Sequence, residues 1–274
     1  MSNHLFNPNP IDFTKSALFL DEAGRNISRL DLNIEAHISK ATADALGKLW
    51  FSGDFSPSKD GKDYISCDPS LQNLFMKNLK FQTLLDSLAA RSVAEVFLPI
   101  TTSPHLSSWW YQHAFFEDNI HSLSYADILK GLPVDAKAIF DDIMVNPAIL
   151  ARAKSIVACF EDTVKHNSKM VLYSDNPTET NSLIRNPDGS ALTSYKYSRE
   201  AHKVSIIKSL FALNILEAVL FKSSFLTSFA FKENGLFSVT ADAIAKIAID
   251  ESLHYGMTVY LINRLRKDLS LIHI

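Results

Sequence analysis

The sequence predicts an all-α protein, and three observations carry that prediction. Apolar residues recur at threes and fours along most of the chain, period-2 alternation is scarce, and a helix-start signal, Ser103-Pro104, opens one of the periodic runs. With 274 residues and 47% hydrophobic content, the chain is able to bury a large core and carries no mark of disorder or of a fibrous repeat. The expected organisation is a single helical domain over residues 1–274, without repeats, low-complexity runs or a clear linker.

Residues 1 to 30 read as an extended arm punctuated by Asn-Pro, and helical periodicity begins over about Leu32 to Leu49. The turn-rich SPSKDGKD at 56–63 separates this helix from the next. From Pro69 to Arg91, Leu74, Phe75, Leu79, Phe81, Leu84, Leu85 and Leu88 form a wide apolar stripe, with Asp86 beside it. A third helix starts at Ser103-Pro104, where serine caps the orphan N–H groups and proline stands where its missing N–H costs nothing; it runs to about Lys130. Further helices are expected at 134–143, 147–170, 200–233 and 239–266. The polar insert YSDNPTETNSLIRNPDGSALTSYKYS, 173–198, is the one long irregular connection, of the kind that forms functional or lid-like loops.

Charge and cysteine usage narrow the function classes. With 27 basic and 30 acidic residues and a formal net charge of −3, there is no basic field for nucleic acid and no polybasic stretch for an anionic membrane. The two cysteines, Cys67 and Cys159, lie far apart, which argues against a disulfide framework or a thiolate zinc site and for a reducing, cytoplasmic setting. MSNHLFNPNPIDF lacks the basic start and apolar core of a secretory signal. ILEAVLFKSSFLTSFAF at 215–231 approaches bilayer-spanning length but holds Glu217 and Lys222, so a buried core helix is the reading.

The chemistry-bearing residues fall on the helices. In EDNIHSLSY, 117–125, Glu117 or Asp118, His121 and Tyr125 share one helix face; alone, such a line reads as a solvated polar stripe. IAKIAIDESLHYGM alters that reading, because Glu251 and His254 repeat the carboxylate–imidazole pairing within a largely apolar helix. Two such pairs on separate helices, completed by one carboxylate from each of two others, are the means by which helical bundles hold two metal ions. Asp86 in FQTLLDSLAARS and Glu217 in ILEAVLF are the acids in the most apolar surroundings, where an unpaired carboxylate is costly and a cation supplies the missing charge. Four carboxylates with two imidazoles suit iron or manganese rather than soft metals.

These stretches resemble the small, radical-generating subunit of class I ribonucleotide reductase. NLKFQTLLDS, IHSLSY, LEAVLFKSSFLTSFAF, IDESLH and Trp50 in KLWFSGDF spread the resemblance over roughly residues 45 to 265. It implies a ferritin-like helical bundle with a dimetal-carboxylate site. The implied ligands are Asp86, the acid of the 117/118 pair, His121, Glu217, Glu251 and His254. It further implies a diiron-oxo cofactor of two iron ions, with a manganese–iron pair as an alternative, and Tyr125 as the tyrosine oxidised to a radical with dioxygen. Phe221, Phe225 and Ile247 match the apolar pocket around that radical; the two phenylalanines follow Glu217 at i+4 and i+8, and as residues they could equally be plain core. Trp50 and Asp250 match an electron-transfer chain running through His121, although Trp50 alone reads as an interior aromatic and Asp250 as an acceptor for an imidazole N–H. The resemblance also implies a homodimer and a large catalytic partner subunit that turns ribonucleotides into deoxyribonucleotides for DNA replication. The eight glycines form no phosphate-cradling loop, in keeping with nucleotide binding by that partner. Other readings are a desaturase-like or ligand-binding dimetal oxidase and a non-redox iron-binding bundle; aspartate as first ligand, Tyr125 and Trp50 argue against these.

Two departures from the family pattern stand out. The family spaces its first carboxylate and histidine as Glu-x-x-His, whereas Glu117 is four residues before His121 and Asp118 is three. Either a residue is inserted after Glu117, forming a π-type bulge, or Asp118 has become the ligand. Gap-free alignment from Asp86 to Glu117 speaks for Glu117, and helical spacing for Asp118. The chain also stops twenty residues after His254, and its final LSLIHI is what a common sequencing adapter would encode, so a truncated read lacking the family's C-terminal tail is the expectation.

Overall fold

The structure is a computed structural model that describes residues 6–175 and 197–268. Apart from its edges, the polar insert at 173–198 lies outside the described residues, as does the terminal LSLIHI. Helix α1 spans Ala36–Leu46, and a short α2, Gly61–Ser66, leads into α3, Pro69–Arg91. Asp68 caps α3 by accepting the Ser70 N–H, with Pro69 at the first helical position. The third helix begins as expected: Ser103 accepts the Leu106 N–H and Pro104 opens α4, Pro104–Phe115. It continues through a π-helical turn, Phe116–His121, into α5, Ser122–Gly131. After α6, Ala136–Ile143, come α7, Pro147–Asp175, and α8, Arg199–Ile215. Of the further π turns, Ser92–Phe97 follows α3 and Leu216–Phe221 joins α8 to α9, Lys222–Glu233; α10, Ser238–Asp268, closes the fold.

The long helices pack side by side, α8 against α7 and α10, α10 against α9, and α3 against α4, α5 and α9. One hydrophobic cluster runs through them, from Phe75, Leu79 and Leu85 on α3 to Trp109 on α4, Phe221 and Phe225 beside α8, and Ile244 and Ile247 on α10. No β-strand forms among the described residues, and an isolated bridge pairs Phe19 with Thr101. That bridge anchors the extended arm, whose Arg25 guanidinium also donates to the Leu98, Pro99 and Thr101 carbonyls beyond α3.

The continuous helix Arg199–Glu233 is long and apolar enough to cross a membrane by composition, but half of its most apolar window is buried inside the protein. Leu213, Leu216, Glu217, Phe221 and Phe225 all face the interior, so it serves as a core helix, as the charges within it suggested. The start of α10 is fixed from a distance. Asp60 Oδ2 accepts the Thr240 N–H at 2.7 Å, Asp60 Oδ1 the Val239 N–H at 3.2 Å, and Asp63 Oδ2 the Phe237 N–H at 2.8 Å. The turn-rich segment between α1 and α3 therefore supplies the caps that hold α10, the helix bearing Asp250, Glu251 and His254, in register.

Candidate dimetal centre

Asp86 from α3, Glu117 and His121 from the π turn Phe116–His121, Glu217 from the π turn Leu216–Phe221, and Glu251 and His254 from α10 converge in the middle of the bundle. All six are buried. Together with His113 on α4, their donor atoms form two groups, each with one atom per residue within 4.8 Å of the others: Asp86, Glu117, His121 and Glu251, and Glu117, Glu217, His254 and His113. The groups share Glu117, which turns Oε2 toward His121 Nδ1 at 3.6 Å and Oε1 toward His254 Nδ1 at 2.9 Å. Glu251 is divided in the same way, Oε1 lying 3.4 Å from His121 Nδ1 and Oε2 3.5 Å from His254 Nδ1. Glu117 therefore presents one oxygen to each group, and Glu251 turns one oxygen to each of the two imidazoles.

The polar atoms at this centre are close but not mutually satisfied. Asp86 Oδ2, both oxygens of Glu117, Glu217 and Glu251, and His254 Nδ1 are buried without a hydrogen-bond partner. An orphaned buried polar atom costs on the order of 1–3 kcal/mol, more when charged, so a natural core does not gather this many without a ligand. Four ionised carboxylates carry four negative charges, which two divalent cations neutralise. The residues present thus fit a dimetal cofactor in charge, donor type and orientation of free lone pairs.

Without such cations the carboxyls divide. Burial, and then the neighbouring Glu117 and Glu251 charges, push Asp86 well above the usual carboxylate range despite its contact with His121. Burial and the Glu251 charge do the same to Glu217. Burial also works to raise Glu117, but His113, His121 and His254 around it win and hold it well below that range. His121 is raised well above the usual imidazole range, burial being outweighed by Asp250, Asp86, Glu117 and Glu251. Opposed shifts among packed titratable groups mark functional sites.

Two π-helical turns supply Glu117 and Glu217. A π turn carries one residue more than the α-helical register and swings its side chains accordingly. Of the two arrangements the sequence left open, the backbone has the bulge, with Glu117 and His121 four residues apart and both inside the cluster. Asp118 is corrected: it is exposed and lines a surface depression with Arg91, Tyr111 and Asn119, because the extra residue in the turn rotates it outward.

Tyr125, one turn beyond His121, is fully buried, and its hydroxyl has no hydrogen-bond partner. Burial, followed by the charges of Asp86 and Glu251, pushes its phenol well above the ordinary range, which places it within electrostatic reach of the cluster. Phe221 and Phe225 stack with ring centroids 5.3 Å apart, and both share the hydrophobic core with Tyr125 and Ile247. His121 Nε2, the nitrogen facing away from the cluster, lies 3.1 Å from Asp250 Oδ2, and the Trp50 indole N–H donates to that same oxygen at 2.7 Å. Trp50 and Asp250 in turn line a surface depression with Lys48, Lys246 and Ile249. His113 went unremarked in the sequence, although it precedes Glu117 by four residues, the same helical spacing that identified the others.

The fold and the site define a class: helical bundles whose core holds a carboxylate–imidazole cluster able to bind two metal ions. The chain belongs to the ribonucleotide reductase small-chain family, whose model matches residues 34–272. It is 32% identical over 266 residues to the ribonucleoside-diphosphate reductase 1 subunit beta of Escherichia coli O157:H7, covering 97% of this chain and 68% of that one. Solved structures agree in fold. A ribonucleotide reductase R2 subunit from Clostridium botulinum matches with a TM-score of 0.68 at 21% identity, over 87% of this chain and 65% of that one. A dimanganese(II) NrdF from Streptococcus sanguinis matches with a TM-score of 0.65 at 18% identity, over 85% of this chain and 69% of that one. The chain thus spans about two thirds of the length of these relatives.

Proposed function

We propose that this chain is the radical-generating subunit of a class I ribonucleoside-diphosphate reductase, with Asp86, Glu117, His121, Glu217, Glu251 and His254 as metal ligands and Tyr125 as the residue oxidised. The observation that carries the reading is the presence together in the core of three things: a phenol without a hydrogen-bond partner, the carboxylate–imidazole cluster, and a path from His121 through Asp250 to Trp50. A storage or structural bundle has no use for the first or the third.

A bound pair of redox-active ions supplies the activation of dioxygen and the oxidising power that takes one electron from the phenol. The remaining work falls to the protein. Tyr125 must shed its phenolic proton as it loses that electron, and Asp86 is the carboxylate whose charge acts on it most strongly. Full burial, with Phe221, Phe225 and Ile247 in the same core, excludes the water and reductants that would quench a radical. Asp250 accepts from both the Trp50 indole and the outer nitrogen of His121, which fixes the ring of His121 with Nδ1 toward the cluster and joins the centre to the surface depression beside Trp50. Hydrogen-bonded contacts of this kind are a route by which an electron, with its proton, enters the core to refill the oxidised phenol, so that the oxidising equivalent passes outward.

The rest of the assignment follows the family. A large subunit receives the oxidising equivalent and binds the ribonucleotide, the working unit is a homodimer in the cytoplasm, and residues 1–274 form one domain with an N-terminal arm. Oxygen and imidazole donors accept iron and manganese alike, so diiron and manganese–iron pairs both suit the site.

The test is to load purified protein with ferrous iron without oxygen, admit oxygen, and record electron paramagnetic resonance and visible absorption, repeating with manganese and iron together. A tyrosyl signal that disappears in Tyr125→Phe while two metals per chain are retained supports the reading. Two bound metals with no tyrosyl signal under either loading would reassign the chain to another kind of dimetal oxidase.

A further inference from the structure

We propose that His113 is a third imidazole ligand of the dimetal centre, so that one metal position is held by two histidines, His113 and His254, with Glu217 and the shared Glu117. The inference rests on the dimetal reading above and goes beyond the six ligands that reading contains. His113 projects from α4, one helical turn before Glu117, and is fully buried. Its Nε2 stands 3.0 Å from Glu217 Oε1 and 3.4 Å from Glu117 Oε1.

At those distances a hydrogen bond would ordinarily form, yet the geometry for one is not met, and neither ring nitrogen of His113 has any hydrogen-bond partner. The His113 ring lies flat against that of His254, with centroids 3.8 Å apart and planes 17° from parallel. His254 Nδ1 likewise approaches Glu117 Oε1 at 2.9 Å without a hydrogen bond. Two stacked imidazoles thus both turn a nitrogen toward Glu117 Oε1, within one group that also holds Glu217, close enough to share a cation and misaligned for sharing protons. A histidine kept only for packing would place at least one nitrogen against a backbone carbonyl or hydroxyl, as His105 does with the Leu32 carbonyl at 2.8 Å.

The consequence is a pair of unequal positions. Asp86, Glu117, His121 and Glu251 offer one imidazole and three carboxylates, whereas Glu117, Glu217, His254 and His113 offer two of each. The competing role for His113 is positioning, by donating a proton to Glu217; glutamine at 113 would preserve a donor but not an imidazole nitrogen, which separates the two.

The test uses the full chain labelled with 15N-histidine and loaded with manganese(II), with electron–nuclear double resonance read for histidine nitrogens and metal affinity read by titration. Wild-type protein is expected to show three coupled histidine nitrogens. His113→Gln should show two, and should bind one of its two ions roughly 100-fold or more weaker while holding the other normally. Two couplings in the wild type, or a glutamine variant that binds both ions as tightly as wild type, would overturn the proposal and leave the dimetal reading intact. Failure of the wild type to take up any metal would overturn both. The wild-type spectrum decides the matter by itself if the variant does not fold.

Discussion

Between α7 and α8, buried polar groups find partners of their own kind. His202 Nε2 lies 2.8 Å from Asn167 Oδ1, His202 Nδ1 lies 3.2 Å from the Tyr197 hydroxyl, Asn167 donates to the Val96 carbonyl at 3.0 Å, and Thr163 meets Ser209 at 2.8 Å. At the crossing of α3, the two π turns and α10, equally buried carboxylates and imidazoles approach just as closely, yet most of their polar atoms remain unpaired. Both regions bury histidines, the first among amide and hydroxyl side chains and the second among carboxylates. The first spends its polarity on holding helices together, and the second keeps it available. Burial of a polar residue therefore says little about function until its lone pairs have been traced.

The largest test of that contrast compares Glu217→Gln with wild type, each with and without metal. Because burial pushes the Glu217 carboxyl well above the usual range and so favours its neutral form without metal, a neutral amide of the same shape should leave metal-free stability within about 1 kcal/mol. What should vanish is the gain on loading: metal at a thousandfold excess over its dissociation constant stabilises by about 4 kcal/mol, on the order of 10 °C in melting temperature. Calorimetry with and without a chelator reads both quantities. A metal-free melting point that fell as far as the loaded one would show that Glu217 is a structural residue like those near His202.

The opposite pattern belongs to His202. His202→Ala removes the partner of Asn167 Oδ1 and opens a cavity between α7 and α8, at a cost of roughly 3 kcal/mol with or without metal. Metal stoichiometry and the radical signal should be unaffected. Loss of metal binding in this variant would mean that the two regions are coupled through the helices.

Acidity sharpens the same comparison. Burial, with the nearby His166 adding to it, lowers the folded pKa of His202 from 6.5 to about 3. The folded state thus refuses a proton that the unfolded chain accepts below pH 6.5. This contribution to stability is fully present above that pH and falls by about 1.4 kcal/mol per pH unit on the way down toward 3. Urea denaturation of metal-free wild type and His202→Gln between pH 7 and 5 isolates it, since the difference between the two should narrow as the pH falls. A constant difference across that window would show that His202 takes up its proton as readily in the folded protein as in the unfolded chain.

What could be read from residues alone follows the same division between pattern and contact. Helix α3 runs from Pro69 to Arg91, as its apolar stripe indicates, and the remaining long helices fall within a few residues of their predicted bounds. Periodicity and caps are local, so the chain displays them openly. The first helix begins at Ala36 rather than near Leu32, because residues 32–35 are taken up by bends that apolar spacing does not register. The caps that Asp60 and Asp63 place on α10 were not legible, since they join segments about 180 residues apart. The π turn at Leu216–Phe221 left no trace either, because nothing in its spacing is unusual, whereas the one at Phe116–His121 betrayed itself through the odd interval between Glu117 and His121. His113 was hidden for another reason. In WWYQHAFF it sits among aromatic residues, and only the knowledge that Glu117 points inward makes the residue four positions earlier a neighbour of the cluster.

The smallest expected effect bears on that interval. Asp118 and Glu117 are adjacent acids, one exposed and one fully buried, and the π turn alone decides which of them faces the core. Asp118→Ala should change stability by no more than about 0.5 kcal/mol, as surface substitutions away from special features do, and should leave two metals bound and the radical yield unchanged. Glu117→Ala, one position earlier, removes the carboxylate whose two oxygens serve both groups, and neither metal position should then fill normally. Metal analysis of the two variants side by side reads the register of the turn directly. If Asp118→Ala lost a metal and Glu117→Ala kept both, the helix would run in regular α-helical register through this segment, and the bulge that orders the whole first pair of ligands would not exist in the metal-bound protein.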